Sequence, residues 1–162
     1  MCGIAGFLGR GDDATLASMC DALSRRGPDD RGLYTGGGIG LSQRRLAVID
    51  LSPGGHQPME SVSGKTVVTF NGEIYNYKQI RDELKGVYEF RTESDTEVIL
   101  ALYEQLGVAG FSKLDGMFAI ALYDTVSETL YLVRYRFGKK PLYWGIFDGT
   151  ILFGSELKAL MR

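Results

Sequence analysis

Histidine is almost absent from this sequence: His56 stands alone, in a loop whose two prolines and two glycines (51–61) rule out a regular element. A lone loop histidine with no motif beside it reads as a surface or packing residue rather than a general base. Cysteine is nearly as scarce. Cys2 and Cys20 have neither the spacing of zinc ligands nor the number of a disulfide framework, which fits a reduced intracellular compartment. No stretch reaches the ~18 consecutive apolar residues of a membrane span, and residues 1–11 carry neither a basic leader nor a long apolar run. Charge of one sign is missing too: the net charge is −2, with acids and bases scattered, so there is no electrostatic footprint for nucleic acid or an anionic membrane. There is no internal repeat. Gly36-Gly37-Gly38 lacks the spacing of a phosphate-binding loop and reads as a hairpin turn. A single soluble cytoplasmic domain spanning 162 residues is expected.

What the sequence does contain is glycine, 22 residues without a period, as tight turns between short strands require. Residues 3–9 read as a buried strand, 32–34 and 39–42 as a hairpin continuing through 44–50, and 66–70 as a β-branched strand. Residues 117–123 are apolar on both alternating faces and predict a strand covered on both sides. Further strands are expected at 130–133, 142–147 and 150–153. Helices are predicted near 15–25, 76–85 and 95–106, with a last one at 155–161 that lacks a stop signal, as if the natural chain continued or had lost a partner. Ser94 and Glu97 have the spacing of a capping box. Eight to ten strands in hairpins with inserted helices argue for two packed antiparallel sheets covered by helices, an α+β class, rather than a doubly wound parallel sheet.

Several residues carry possible chemistry. If an aminopeptidase removes Met1, Cys2 holds both a thiol and a free α-amine titrating near pH ~8, a nucleophile with its own base; by position alone it reads instead as a small buried residue at a strand start. Cys20 lies on the apolar face of a helix with Leu16, Met19 and Leu23 and reads as packing. Arg25-Arg26 reads as a solvated helix end. Arg45, at the mouth of an apolar run, needs an anion, either an internal acid or a ligand carboxylate. Asn71-Gly72 offers a side-chain amide and an N–H unencumbered by a Cβ, the composition of an oxyanion hole, although Asn-Gly alone is common. Asp95 either complements a helix dipole or faces a ligand ammonium.

Taken together, Cys2-Gly3-Ile4, Arg26-Gly27-Pro28-Asp29, Arg45-Leu46, Asn71-Gly72-Glu73-Ile74-Tyr75-Asn76, Ser94-Asp95-Thr96-Glu97 and Arg136-Phe137-Gly138-Lys139-Lys140-Pro141-Leu142-Tyr143 resemble the glutaminase domain of class II glutamine amidotransferases. The nearest likeness is to the N-terminal domain of glutamine-hydrolysing asparagine synthetases, and it runs from residue 2 to about 160. The resemblance implies a four-layer αββα sandwich of the N-terminal-nucleophile hydrolases. It implies Cys2 as nucleophile toward L-glutamine and Asn71 with Gly72 as the oxyanion hole. It further implies Arg45 on the α-carboxylate, Leu46, Ala47, Val48 and Ile49 lining the pocket, Asp95 on the α-ammonium with Glu73 beside it, and Asn76 in the neighbourhood. No cofactor or metal is implied for residues 1–162, whose sequence lacks a Ser-Gly-Gly-rich pyrophosphate loop. The partner would be a synthetase domain in the same or another chain, receiving ammonia. One departure is Tyr135, where the family commonly has aspartate, which puts the pairing of Arg134 and Arg136 and the geometry of their loop in question. The alternative is a non-catalytic module binding glutamine or a partner protein.

Overall fold

Alternation along the strands sorts side chains into layers. In the computed structural model, which describes residues 1–49 and 53–162, the chain runs β1 (Gly3–Leu8), α1 (Asp13–Asp21), β2 (Asp30–Gly36), β3 (Ile39–Arg45), β4 (Met59–Glu60), β5 (Thr66–Ile74), α2 (Tyr77–Glu83), α3 (Glu97–Leu106), β6 (Gly116–Asp124), β7 (Thr129–Arg134), β8 (Tyr143–Phe147), β9 (Thr150–Gly154) and α4 (Leu157–Leu160). One sheet has the order β2-β3-β1-β9-β8 and the other β4-β5-β6-β7; every pairing is antiparallel.

Ile4, Ile39, Leu41, Val67, Ala119, Ala121 and Phe153 fill the space between the sheets. The opposite positions of the first sheet, Ala5 and Phe7, pack on Leu16, Met19 and Leu23 around α1 and on Ala159 of α4. Those of the second, Val68, Phe70, Ile74, Ile120 and Leu122, pack on Ile80 of α2 and on Val98, Ile99 and Leu102 of α3. This is the expected αββα sandwich, with β6 apolar on both faces because each face meets a layer. Among the described residues no helix is long and apolar enough to cross a membrane.

Local details correct the sequence reading. Helix α1 begins earlier than expected, where the Asp12 carboxylate accepts the Thr15 N–H at 2.8 Å, and it ends at Asp21; Leu23, Ser24 and Arg26 follow in turns bonded to the carbonyls three residues back. The hairpin turns at Gly37 and Gly38, both at positive φ (60° and 78°), a conformation that glycine adopts without strain. Strand β3 stops at Arg45 instead of continuing through residue 50, and Asp50, Leu51 and Ser52 lie outside the described residues. The capping box does not form: α3 starts at Glu97, whose carboxylate instead accepts the N–H groups of Arg91 (2.9 Å) and Thr92 (2.8 Å) and the Thr92 hydroxyl.

Candidate active site

The period of two that places Ile4, Ile39, Leu41, Val67, Ala119 and Ala121 between the sheets continues past the apolar core. At one end of the sandwich it brings Cys2, Gln43, Arg45, Asn71, Glu73 and Met117 into the same inward-facing rows. A cavity of about 250 Å³ opens there, lined among others by Cys2, Arg45, Asn71, Gly72, Glu73 and Asp95. The residues that the sequence marked separately therefore share one wall-to-wall space.

Cys2 precedes β1, and its Sγ sits against the Leu46 backbone, accepting the Leu46 N–H at 3.3 Å and donating to the Leu46 carbonyl at 3.5 Å. The Cys2 carbonyl accepts from Nε of Arg26 at 2.8 Å, while Nη1 of Arg26 pairs with Glu156 at 3.1 Å. Arg26 is thus a half-buried anchor of the thiol residue, not the solvated helix end expected of it. Arg45 is buried and its Nη2 donates to the Ile49 carbonyl at 3.3 Å. The segment after it is held by Asp29, whose carboxylate accepts the Ala47 N–H at 2.9 Å. Leu46, Val48 and Ile49 line the cavity; Ala47, turned toward Asp29, does not.

Asn71 and Gly72 lie inside β5, which continues to Ile74 rather than ending at Asn-Gly as expected. Asn71 is buried, and its Nδ2 has no hydrogen-bond partner among the described residues, an expensive arrangement for an amide donor. Gly72 is required for a different reason from the one read in the sequence: a Cβ there would run into the Met117 carbonyl of β6. Phe70 and Ile74 direct their N–H groups away from β6, to Gln57 Oε1 and Asp95 Oδ2, so by strand alternation the Gly72 N–H points off the same edge, where the cavity lies.

Asp95 is buried ahead of α3. Desolvation pushes its carboxyl up to about 6; the Ile74 N–H bond at 2.9 Å works against the rise and the charge of Glu73 adds to it. Asn76 is not brought to the cavity. Although it precedes α2, its side chain makes no capping bond and instead ties Lys113 (carbonyl, 2.9 Å) to Asp115 (N–H, 3.0 Å). His56 lies outside the chemistry as well, with Nδ1 2.7 Å from the Asp30 carboxylate.

Sequence reasoning missed Met1, Gln43, Gln57, Thr96 and Lys140, all of which line the cavity. Lys140 is buried, and its ammonium reaches the Met1 thioether at 3.4 Å; its place in the Arg136 to Tyr143 motif was the available signal. That loop carries Tyr135 and no acid at this position. Arg134 donates to the carbonyls of Gly138 (2.7 Å) and Lys140 (3.1 Å), and the Tyr135 ring packs on Phe118 at 5.1 Å with Arg136 over it.

Residues 1–162 match the family described as glutamine amidotransferase domain. An asparagine synthetase [glutamine-hydrolyzing] 2 from Bacillus subtilis (strain 168) is 41% identical, with 99% of this chain and 22% of the relative covered. An asparagine synthetase [glutamine-hydrolyzing] 1 from Arabidopsis thaliana is 42% identical, with 99% of this chain and 28% of the relative covered. The chain thus spans about a quarter of the length of these relatives. Its fold is that of a solved glutamine phosphoribosylpyrophosphate amidotransferase from B. subtilis, at TM-score 0.83 and 21% identity, covering 99% of this chain and 43% of that one. The alignment from end to end, the two-sheet sandwich and the cavity at Cys2 agree, and the chain belongs to the glutamine amidotransferase domain family, matching the glutaminase part of glutamine-hydrolysing asparagine synthetases.

Proposed function

We propose that the chain, once Met1 is removed, hydrolyses L-glutamine to glutamate and ammonia through a thioester on Cys2, and that the ammonia supplies an ATP-dependent, asparagine-synthetase-like amidation on a synthetase domain in the same or another chain. The observation that carries this reading is the buried Nδ2 of Asn71, without a hydrogen-bond partner among the described residues, in the same cavity as the Cys2 thiol. An amide donor left without a protein partner beside a nucleophile is the preorganised partner of an oxygen that becomes negative during reaction.

In the reaction the Cys2 sulfur forms a bond to the glutamine side-chain carbonyl carbon as the thiol proton passes to the residue's own α-amine. The oxygen, now negative, takes hydrogen bonds from Asn71 Nδ2 and the Gly72 N–H. The C–N bond then breaks, the α-ammonium returns its proton to the leaving nitrogen, and ammonia departs from a thioester. Water adds to the thioester with the same amine as base, a second oxyanion collapses, and glutamate and the thiol are regenerated. Arg45 holds the substrate α-carboxylate, and Asp95, with Glu73 nearby, holds the α-ammonium, so a simple amide lacking either charge forgoes one of these contacts. With Met1 attached the nitrogen of Cys2 is an amide and cannot serve as base. Tyr135, where the family commonly has aspartate, is the feature that favours the second reading, a non-catalytic glutamine- or partner-binding module.

Release of glutamate and ammonia from glutamine by the Met1-free chain tests the proposal. Cys2→Ala is expected to lose turnover while still binding glutamine in calorimetry; turnover that survives in Cys2→Ala would rule out the thioester route.

A further inference from the structure

β4 is two residues long and pairs with β5 only at Val68 and Val67, so the edge of β5 beyond Val68 has no strand beside it. On that edge the N–H and C=O of every second residue, Phe70, Gly72 and Ile74, turn away from β6. Side chains take the place of the missing strand on either side of Gly72. The Phe70 carbonyl accepts from Gln43 Nε2 at 2.7 Å, the Phe70 N–H donates to Gln57 Oε1 at 2.7 Å, and the Ile74 N–H donates to Asp95 Oδ2 at 2.9 Å. The other end of the Gln57 amide donates from Nε2 to Thr96 Oγ1 at 2.9 Å, one residue after Asp95. Gln43 and Gln57 are both buried and both face the cavity.

We infer that Gln57, assisted by Gln43, is a positioning residue for glutamine hydrolysis: the two amides replace a neighbouring strand along β5 and aim the Asn71 amide and the Gly72 N–H at the reacting oxygen. This rests on the glutaminase reading above. Gln43 fixes the plane of the peptide that joins Phe70 to Asn71, and Gln57 fixes the peptide before it. Oxyanion donors must be held to within about 0.5 Å of the productive geometry, and a strand edge with unpaired peptides does not supply that tolerance by itself. Through Thr96 the same Gln57 amide holds β5 in register with the segment carrying Asp95. One side chain therefore links the two donors to the group that grips the substrate ammonium. Neither glutamine touches the reacting atoms in this account; both act through β5.

The test uses the Met1-free chain and steady-state glutamine hydrolysis. Gln57→Met keeps the length and loses both hydrogen bonds. Its kcat is expected to fall about tenfold, as misplacement of catalytic groups by a fraction of an ångström does, while the dissociation constant for glutamate stays within about twofold. Thr96→Val should show a smaller fall in kcat and Thr96→Ser should restore it. Adding Thr96→Val to Gln57→Met should cost little more, because the bond between them is already gone. If Gln57→Met does not fold, the Thr96→Val and Thr96→Ser pair decides by the same readout. A folded Gln57→Met with wild-type kcat, a loss that falls on glutamate affinity instead, or Thr96→Val losses unrelieved by serine would overturn the inference while leaving the glutaminase reading in place. An inactive wild-type chain would overturn both.

Discussion

Arg26 donates from Nε to the Cys2 carbonyl at 2.8 Å and pairs through Nη1 with Glu156 at 3.1 Å, so the residue bearing the thiol is tethered to the segment after β9. The Ile4 N–H to Ser155 Oγ bond at 3.0 Å and the Ser155 N–H to Ile4 carbonyl bond at 2.8 Å make the same connection two residues further along. Replacing Arg26 with Met should free the N-terminal residue while leaving the pocket walls intact. A charged hydrogen bond of this kind contributes about 1.5–3 kcal/mol, and a loss of roughly tenfold or more in kcat with little change in KM is expected in glutamine hydrolysis. An effect confined to KM would mean that Arg26 acts on the substrate instead.

Asn71→Ala should lower kcat by about 10²–10³ with KM changed only a few-fold, the signature of a donor used only in the transition state. Because Nδ2 has no hydrogen-bond partner among the described residues, its removal should cost little stability, and thermal unfolding of Asn71→Ala should lie close to that of the parent. A large fall in melting temperature would show that the amide serves the fold.

The raised Asp95 carboxyl makes binding sensitive to acid. Asp95 must be ionised to hold an ammonium, and with its carboxyl at about 6, only about a tenth is ionised one pH unit lower. KM for glutamine should therefore rise roughly tenfold between pH 7 and pH 5. In the free protein the folded carboxyl holds its proton more tightly than the unfolded one, so stability declines as pH rises from 3.8 to about 6. A bound ammonium offsets that loss, so the thermal shift given by glutamate should be larger at pH 7 than at pH 5. A pH-independent KM over this range would contradict the assignment.

Arg45→Ala and Asp95→Asn should chiefly weaken glutamine binding, each leaving a substrate charge without its partner, whereas Cys2→Ala should abolish hydrolysis with binding kept. Calorimetric titration of the three variants with glutamine separates these roles. Equal loss of affinity in all three would undo them.

Much of the fold was legible because it rests on period-two patterning: β1, the β2–β3 hairpin and the doubly covered β6 follow from apolar alternation and from glycines at the turn. The inward rows that carry Cys2, Arg45 and Asn71 were present in the sequence as well, but only the family resemblance joined segments 26 to 69 residues apart into one site. What escaped was set by contacts with no spacing rule. Gln57 meets the Phe70 N–H and Gln43 meets the Phe70 carbonyl only because β4 is too short to do so, and nothing in 57–60 announces that length. Arg26 looked like a solvated helix end because burial beside Cys2 depends on the opposite end of the chain at Glu156. Ser94 and Glu97 had the right spacing for a capping box, yet Glu97 satisfies two peptide N–H groups at Arg91 and Thr92 that a capping box would have left unpaired. Asn76 sat in the family motif but is occupied at Lys113 and Asp115.

The most direct test of the account is intact mass spectrometry of the purified chain before and after incubation with the glutamine-analogue electrophile 6-diazo-5-oxo-norleucine. The account predicts a mass lacking Met1, then a single adduct that maps to Cys2, is absent in Cys2→Ala and is blocked by excess glutamine. A folded, Met1-free chain whose Cys2 stays unmodified would contradict it and leave the non-catalytic binding module as the reading.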